Sequence, residues 1–188
     1  MPDDVPELVR RCLSGDEAAM AELIDRFRGQ VFGLCYRMLG HRQDAEDMTQ
    51  EAFVRALRSL NRWDSRREFR PWLLAIAGNR CRTLLASRRK VPRPTGEVDY
   101  LPDARPDRQQ QLNLAEEVRL ALSYLREEYR QALVLFHEQQ LGYAEIAEVL
   151  DCPVGTVKTW VHRARRELAD HLRRRGVLEE TDHAVRRI

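Results

Sequence analysis

Apolar positions in this chain recur at spacings of three and four almost from end to end, and no run alternates with the period of two that a half-buried strand requires. Met20, Leu23, Ile24, Phe27, Val31, Leu34, Cys35 and Met38 form the first long stripe. Ser14 ahead of Gly15-Asp16-Glu17 predicts a helix start with acid in its first turn, and Gly40-His41 predicts its end. A second amphipathic helix is predicted over Asp44 to Leu60, burying Ala45, Met48, Ala52, Phe53, Ala56, Leu57 and Leu60, with a loop at Asn61-Arg62-Trp63-Asp64-Ser65. A third begins near Pro71, since a first-turn proline lacks only an N–H that would be unpaired there, and runs to about Arg89.

The pattern then stops. Val91 to Arg108 holds Pro92, Pro94, Pro102 and Pro106 with few large apolar residues, which predicts an extended tether. Helical spacing resumes at about Leu112 and continues to Leu172, broken at Gln140–Gly142 and Asp151–Gly155. The expected fold is all-α: two small helical domains, residues 1–90 and 112–175, joined by a flexible proline-containing linker at 91–111 and followed by a short charged tail at 176–188.

Composition narrows the class. Of 188 residues, 43% are hydrophobic and 33% charged, which suits small packed cores rather than disorder. The net charge of +2 says little, but acid crowds Asp44 to Glu51 while basic residues crowd Arg62 to Lys90 and Lys158 to Arg175. Opposite blocks suggest two kinds of partner. Cys12, Cys35, Cys81 and Cys152 are scattered without a C-x-x-C, so buried thiols are expected rather than a disulfide or a zinc site. His137, His162, His171 and His183 stand apart, and no group of acids, His or Cys has the spacing of a metal or nucleophile site. No catalytic residue, metal or cofactor is therefore expected, and the chain does not read as an enzyme. No stretch approaches the roughly 18 apolar residues of a membrane span and the first residues carry no apolar signal core, so a cytoplasmic protein without membrane insertion is expected.

Leu141 to Val161 reads as a helix-turn-helix. Ile146, Ala147 and Leu150 form the inner stripe of a short first helix, and Pro153 disfavours helix at Cys152. Val154, Val157 and Val161 form the inner stripe of a second, whose outward face carries Lys158, Thr159, His162, Arg163 and Arg166. Those side chains reach phosphates or base edges when a helix enters the major groove. Gly155 and Thr156 at its start leave backbone N–H groups for a phosphate. An ordinary solvated basic helix would explain the cations alone, but not the short helix and proline turn before them.

In the first domain, Asp44, Asp47 and Glu51 (i, i+3, i+7) share a helix face beside Gln50. That face suits a dock for a basic protein surface, or a solvated surface with favourable charge at a helix start. On the third helix Trp72, Leu73, Ile76, Ala77, Leu84 and Leu85 form a buried stripe, leaving Asn79, Arg80, Arg82, Thr83, Arg88, Arg89 and Lys90 toward the polar side. Trp63 and Trp72 are shaped to stack on bases, yet core packing is the expectation for both. Gly78 weakens the helix by about 1 kcal/mol relative to Ala.

Leu34-Cys35-Tyr36-Arg37-Met38-Leu39-Gly40 followed by Asp44 to Phe53 resembles region 2 of bacterial RNA polymerase sigma factors of the extracytoplasmic-function type. Tyr143-Ala144-Glu145-Ile146-Ala147, then Pro153 to Thr159 and His162-Arg163-Ala164-Arg165, resembles region 4 of the same family, and the resemblance spans about Leu8 to Leu172. It implies that Asp44, Asp47, Gln50 and Glu51 bind core RNA polymerase at the clamp helices of its largest subunit. It implies that Asp64, Arg67, Arg70, Asn79 and Arg80 recognise and open the minus-ten element of promoter DNA, the Asp64–Glu68 loop holding a base drawn from the stack. Tyr143, Gly155, Thr156, Lys158, Thr159, His162, Arg163 and Arg166 would read the minus-thirty-five element. Trp160 and Thr83 depart from the family, which frequently has a polar or basic residue at the first and an acid at the second. The family further implies an anti-sigma partner and a stress or envelope-response regulon. The two modules are expected to fold separately and reach both elements at once, the tether supplying effective concentration. The alternative is a free-standing helix-turn-helix regulator, which has no need of the acidic face.

Overall fold

The computed structural model describes residues 5–90 and 106–178, with side chains at 5–88 and 114–178. Eight α-helices and one 3-10 turn make up the described regular structure, with no strand among the described residues. The tether expected at 91–105 and the tail beyond residue 178 lie outside the described residues.

Four helices form the first module: α1 (Val5–Leu13), α2 (Glu17–Leu39), α3 (Arg42–Arg58) and α4 (Phe69–Lys90), with a 3-10 turn at Leu60–Arg62. The cap of α2 is Asp16, whose carboxylate accepts from the N–H of Ala19 at 3.0 Å. Ser14, the expected start, instead donates its hydroxyl to the carbonyl of Arg11, because Gly15 at φ +87° turns the chain between them. Gly40 ends α2 in the left-handed region, its N–H bonded to Tyr36. That conformation is nearly free for glycine and costly for other residues. Leu23, Val31, Leu34, Cys35 and Met38 from α2 meet Ala45, Ala52 and Phe53 from α3 and Leu73, Leu74, Ala77 and Cys81 from α4 in the core. Phe69 seals one end against Phe27 and Trp63, ring centroids 5.2 and 5.3 Å away.

The second module holds α5 (Pro106–Tyr124), α6 (Glu127–His137), α7 (Tyr143–Leu150) and α8 (Val154–Arg174). α5 begins inside the segment read as tether, at Pro106, for the reason that admits proline at a first helical position. Leu133, Leu135, Ile146, Leu150, Val157, Val161, Ala164 and Leu168 form the core. Asp151 ends α7 at φ +50°, and Pro153 caps α8.

The two modules pack on one another: α6 lies against α2 and α7 against α4. This is why α4 departs from its expected stripe. It is covered on three sides, so Leu74, Gly78 and Cys81 are buried, while Trp72, Ile76, Leu84 and Leu85 are only partly so. The guanidinium of Arg130 donates to the carbonyls of Met38 across the junction and of Ser123 and Leu125 in its own module. Gln139 donates to the carbonyl of Gln30 at 3.3 Å, and Arg37 pairs with Glu138 at 2.6 Å.

Candidate nucleic-acid and polymerase interfaces

Helix α8 separates its two faces cleanly. Val157, Val161, Ala164, Leu168 and Leu172 are buried at helical spacing, which turns Lys158, Thr159, His162, Arg163 and Arg166 outward, all exposed. Val154, expected in the inner stripe, is 40% exposed at the first turn. Several outward side chains are held before any ligand arrives. Lys158 sits 5.9 Å over the ring of Tyr143, which stacks on Phe136 at 4.8 Å, and Arg163 donates to the Tyr129 hydroxyl at 3.0 Å. The Thr159 hydroxyl donates to the carbonyl of Gly155, and open space surrounds the Gly155 Cα. The N–H of Thr156, read as free for a phosphate, donates to the carbonyl of Pro153 at 2.9 Å. Arg165 turns inward instead, its Nε 3.0 Å from His137 Nε2 and its guanidinium over Phe136. Burial, and then the charge of Arg165, hold the His137 imidazole below its ordinary value. Glu145 accepts from the N–H of Gly142 at 2.7 Å, fixing the start of α7.

The residues expected at the minus-ten element divide between two places. The loop before α4 is shaped by Asp64, which accepts from the N–H of Arg66 at 3.0 Å and, through its carbonyl, from that of Arg67 at 2.9 Å. Cavities of about 580 and 610 Å³ flank this loop, both lined by Trp63 and Arg67; Asp64 and Trp72 line the first, and Arg26, Arg66 and Arg70 the second. The indole Nε1 of Trp63 is buried without a hydrogen-bond partner. Trp63 is thus both core and cavity wall. Arg26 and Arg66 join this basic site although no spacing rule connected them to it; only folding brings α2 beside the loop.

Asn79 and Arg80 lie elsewhere, in a groove of about 590 Å³ between α3 and α4 that also takes in Glu51, Arg55 and Arg58. Arg80 pairs with Glu51 at 2.8 Å, and Arg88 with Asp44 at 2.5 Å. Burial would raise the Glu51 pKa, but hydrogen bonds from Arg55 and Arg80 outweigh it and hold the carboxylate below its usual range. The acidic face is therefore not uniform. Asp44 and Glu51 turn toward α4, whereas Asp47 and Gln50 are exposed beside Val54, itself 41% exposed. Val54 belongs to no apolar stripe, which is the signal in the sequence of an outward valine.

Among the described residues no group of His, Cys, Asp or Glu could hold a metal ion, and no helix is long and apolar enough to cross a membrane.

Residues 23–91 match the profile of Sigma-70 region 2, and residues 115–168 that of Sigma-70 region 4. The ECF RNA polymerase sigma factor SigW of Bacillus subtilis is 33% identical over 189 residues, covering 90% of this chain and 97% of SigW. The ECF RNA polymerase sigma-E factor of Escherichia coli K12 is 33% identical over 171 residues, covering 84% of this chain and 88% of that protein. Among solved structures, CnrH in complex with the cytosolic domain of CnrY matches with a TM-score of 0.69 at 28% identity, over 91% of this chain and 98% of CnrH. The sigma factor RpoE of Bartonella quintana, solved with the anti-sigma factor NepR, shares the fold with a TM-score of 0.67 at 22% identity, over 81% and 96% of the two chains.

Proposed function

The chain belongs to the extracytoplasmic-function family of RNA polymerase sigma factors, and on that premise we propose how its surfaces divide the work. It is a transcription initiation factor that binds core RNA polymerase and directs it to promoters, a non-enzymatic role. Lys158, Thr159, His162, Arg163 and Arg166, with Tyr143 and the open backbone at Gly155, read the minus-thirty-five element. The observation that carries this is the row of exposed cations on α8, set opposite its buried valines and partly fixed by Tyr143 and Tyr129.

The Asp64–Glu68 loop, with Arg67, Arg70 and the wall of Trp63, holds the exposed strand of the minus-ten element, where a base leaves the stack at a cost of a few kcal/mol. Asn79 and Arg80 touch DNA from the α3–α4 groove. Asp47 and Gln50 make the principal contact with the polymerase clamp helices, while Asp44 and Glu51 bind it or brace α4. The protein works in the cytoplasm and answers to an anti-sigma partner that governs a stress or envelope-response regulon. CnrH, solved with the cytosolic domain of CnrY, and RpoE, solved with the anti-sigma factor NepR, support that reading.

The test is transcription in vitro with purified core polymerase on a genomic DNA library, with start sites mapped. Specific starts sharing two spaced elements are expected, and Asp47→Lys should abolish them by blocking polymerase binding. A protein that directs no specific start, or whose Asp47→Lys variant still binds polymerase, would overturn the corresponding assignment. Retention of duplex binding together with no affinity for polymerase would favour the free-standing regulator.

A further inference from the structure

We propose that the chain silences itself by closing its two modules on one another, with Gln131 seated over Gly78 as the latch. The proposal rests on the minus-ten reading of the Asp64–Glu68 loop. Gln131 projects from α6 onto α4 at Gly78, the one place on that helix face without a side chain. A Cβ built there would stand 1.9 Å from Gln131 Nε2 and 3.0 Å from its Cδ. The weak point in α4 is thus the seat for a side chain of the other module. Gln131 is 0% exposed.

Closure covers the loop. Helix α7 brings Glu145 and Glu148 to the cavity wall beside Arg62, Arg67 and Trp72, with Glu148 3.4 Å from Arg67. Two carboxylates therefore stand beside Arg62 and Arg67, where strand phosphates would bind, an internal substitute for the nucleic acid. Reach points the same way. Promoter elements centred about 25 base pairs apart lie roughly 85 Å apart along the duplex at 3.4 Å per step. Modules in direct contact through α2 and α6 cannot serve both ends of that distance together.

The junction is built to come apart. Polar contacts cross it: Arg130 on the carbonyl of Met38, Gln139 on that of Gln30, and Arg37 with Glu138. Both polar atoms of the Gln131 amide are buried without a partner, which weakens closure. The Arg67–Glu148 pair, exposed on both sides, adds little strength and acts by position. Between domains of one chain, relative motion is the ordinary expectation. Polymerase and promoter, which need the modules apart, then select the open form.

The test uses four full-length proteins: wild type, Gly78→Leu, Glu138→Lys and Gln131→Met. Gly78→Leu fills the seat of the latch, and Glu138→Lys sets a cation against Arg37, so each opens the junction by a separate route if the other fails to fold. Gln131→Met keeps an unbranched chain of similar length and removes the unpaired amide, so it tightens closure. The radius of gyration from solution scattering reports opening, and affinity for a fluorescent oligo-dT strand reports masking.

The opening variants should expand and gain about tenfold in affinity, the gain expected if about one molecule in ten is open at rest. Gln131→Met should remain compact and bind more weakly than wild type. Expansion without a gain in affinity, or one affinity shared by all four proteins, would overturn self-masking. Opening variants that fold but stay as compact as wild type would overturn the latch. A gain that persists when Arg67→Ala and Arg70→Ala are added would leave closure standing and refute the loop reading instead.

Discussion

Arg80 of α4 holds Glu51 of α3 at 2.8 Å, so a residue expected on promoter DNA is joined to one expected on the polymerase. Both are partly exposed, and with the Asp44–Arg88 pair they fix the angle between the two helices that carry those surfaces. The pair orients more than it stabilises. Replacing Arg80 with Ala should cost no more than about 1 kcal/mol in unfolding free energy, the range for exposed ion pairs. Because the Glu51 pKa is depressed on folding, its contribution is present above the ordinary carboxylate range and is lost as pH falls through the folded value. In urea melts, the small advantage of wild type over Glu51→Gln should therefore fade on acidification below about pH 4.

His137 should give the second module a separate acid sensitivity. Its pKa is held below the ordinary 6.5 by burial and by Arg165, so the neutral ring that accepts from Arg165 is the native form. Stability from this site is complete above that value and is lost as pH falls through the lower folded one. Between about pH 7 and pH 5 the wild-type Tm should fall more than that of His137→Gln, whose amide oxygen still accepts and does not titrate there. Equal slopes of Tm against pH would remove His137 as the cause.

Salt dependence separates reading residues from bracing ones on α8. Lys158→Ala and Arg163→Ala should each lower the log–log salt slope of promoter-duplex binding by about 0.9, one phosphate contact apiece. Arg165→Ala should leave the slope unchanged and lower Tm, because that guanidinium lies over Phe136 and bonds His137.

The cysteines should differ in reactivity. Cys12, Cys35 and Cys81 are buried, and a hydrogen bond to Cys35 together with burial pushes the Cys81 thiol well above its usual range. Only Cys152 is partly accessible. In the native protein a maleimide should modify Cys152 first, with all four thiols reacting in denaturant. Early labelling of Cys35 or Cys81 would mean that α2 and α4 separate readily.

Much of the molecule was legible before folding. The stripe from Met20 to Met38, the stop at Gly40, the proline turn at Pro153 and the outward row from Lys158 to Arg166 follow from period and local backbone preference, which act over a few residues. The start of α2 lies two positions beyond the predicted Ser14 because Ser14 and Asp16 are both good caps, and only the turn at Gly15 selects between them. Pro106 opens α5 inside the predicted tether, since a proline marks a boundary without saying on which side the helix lies.

The amino-acid sequence by itself determined most of the helices, the buried stripe of α2, the helix-turn-helix and the separation of acidic from basic blocks, all of which are local along the chain. Tertiary structure alone decided that Asp44 and Glu51 face Arg88 and Arg80, that Arg26 and Arg66 meet at one cavity, and that Gln131 fills the space over Gly78. Each of those pairs joins positions far apart in the chain, and periodicity gives the direction of a side chain without naming what stands opposite. Gly78 is the plainest case: along α4 it is a weak point, and across the junction it is a seat.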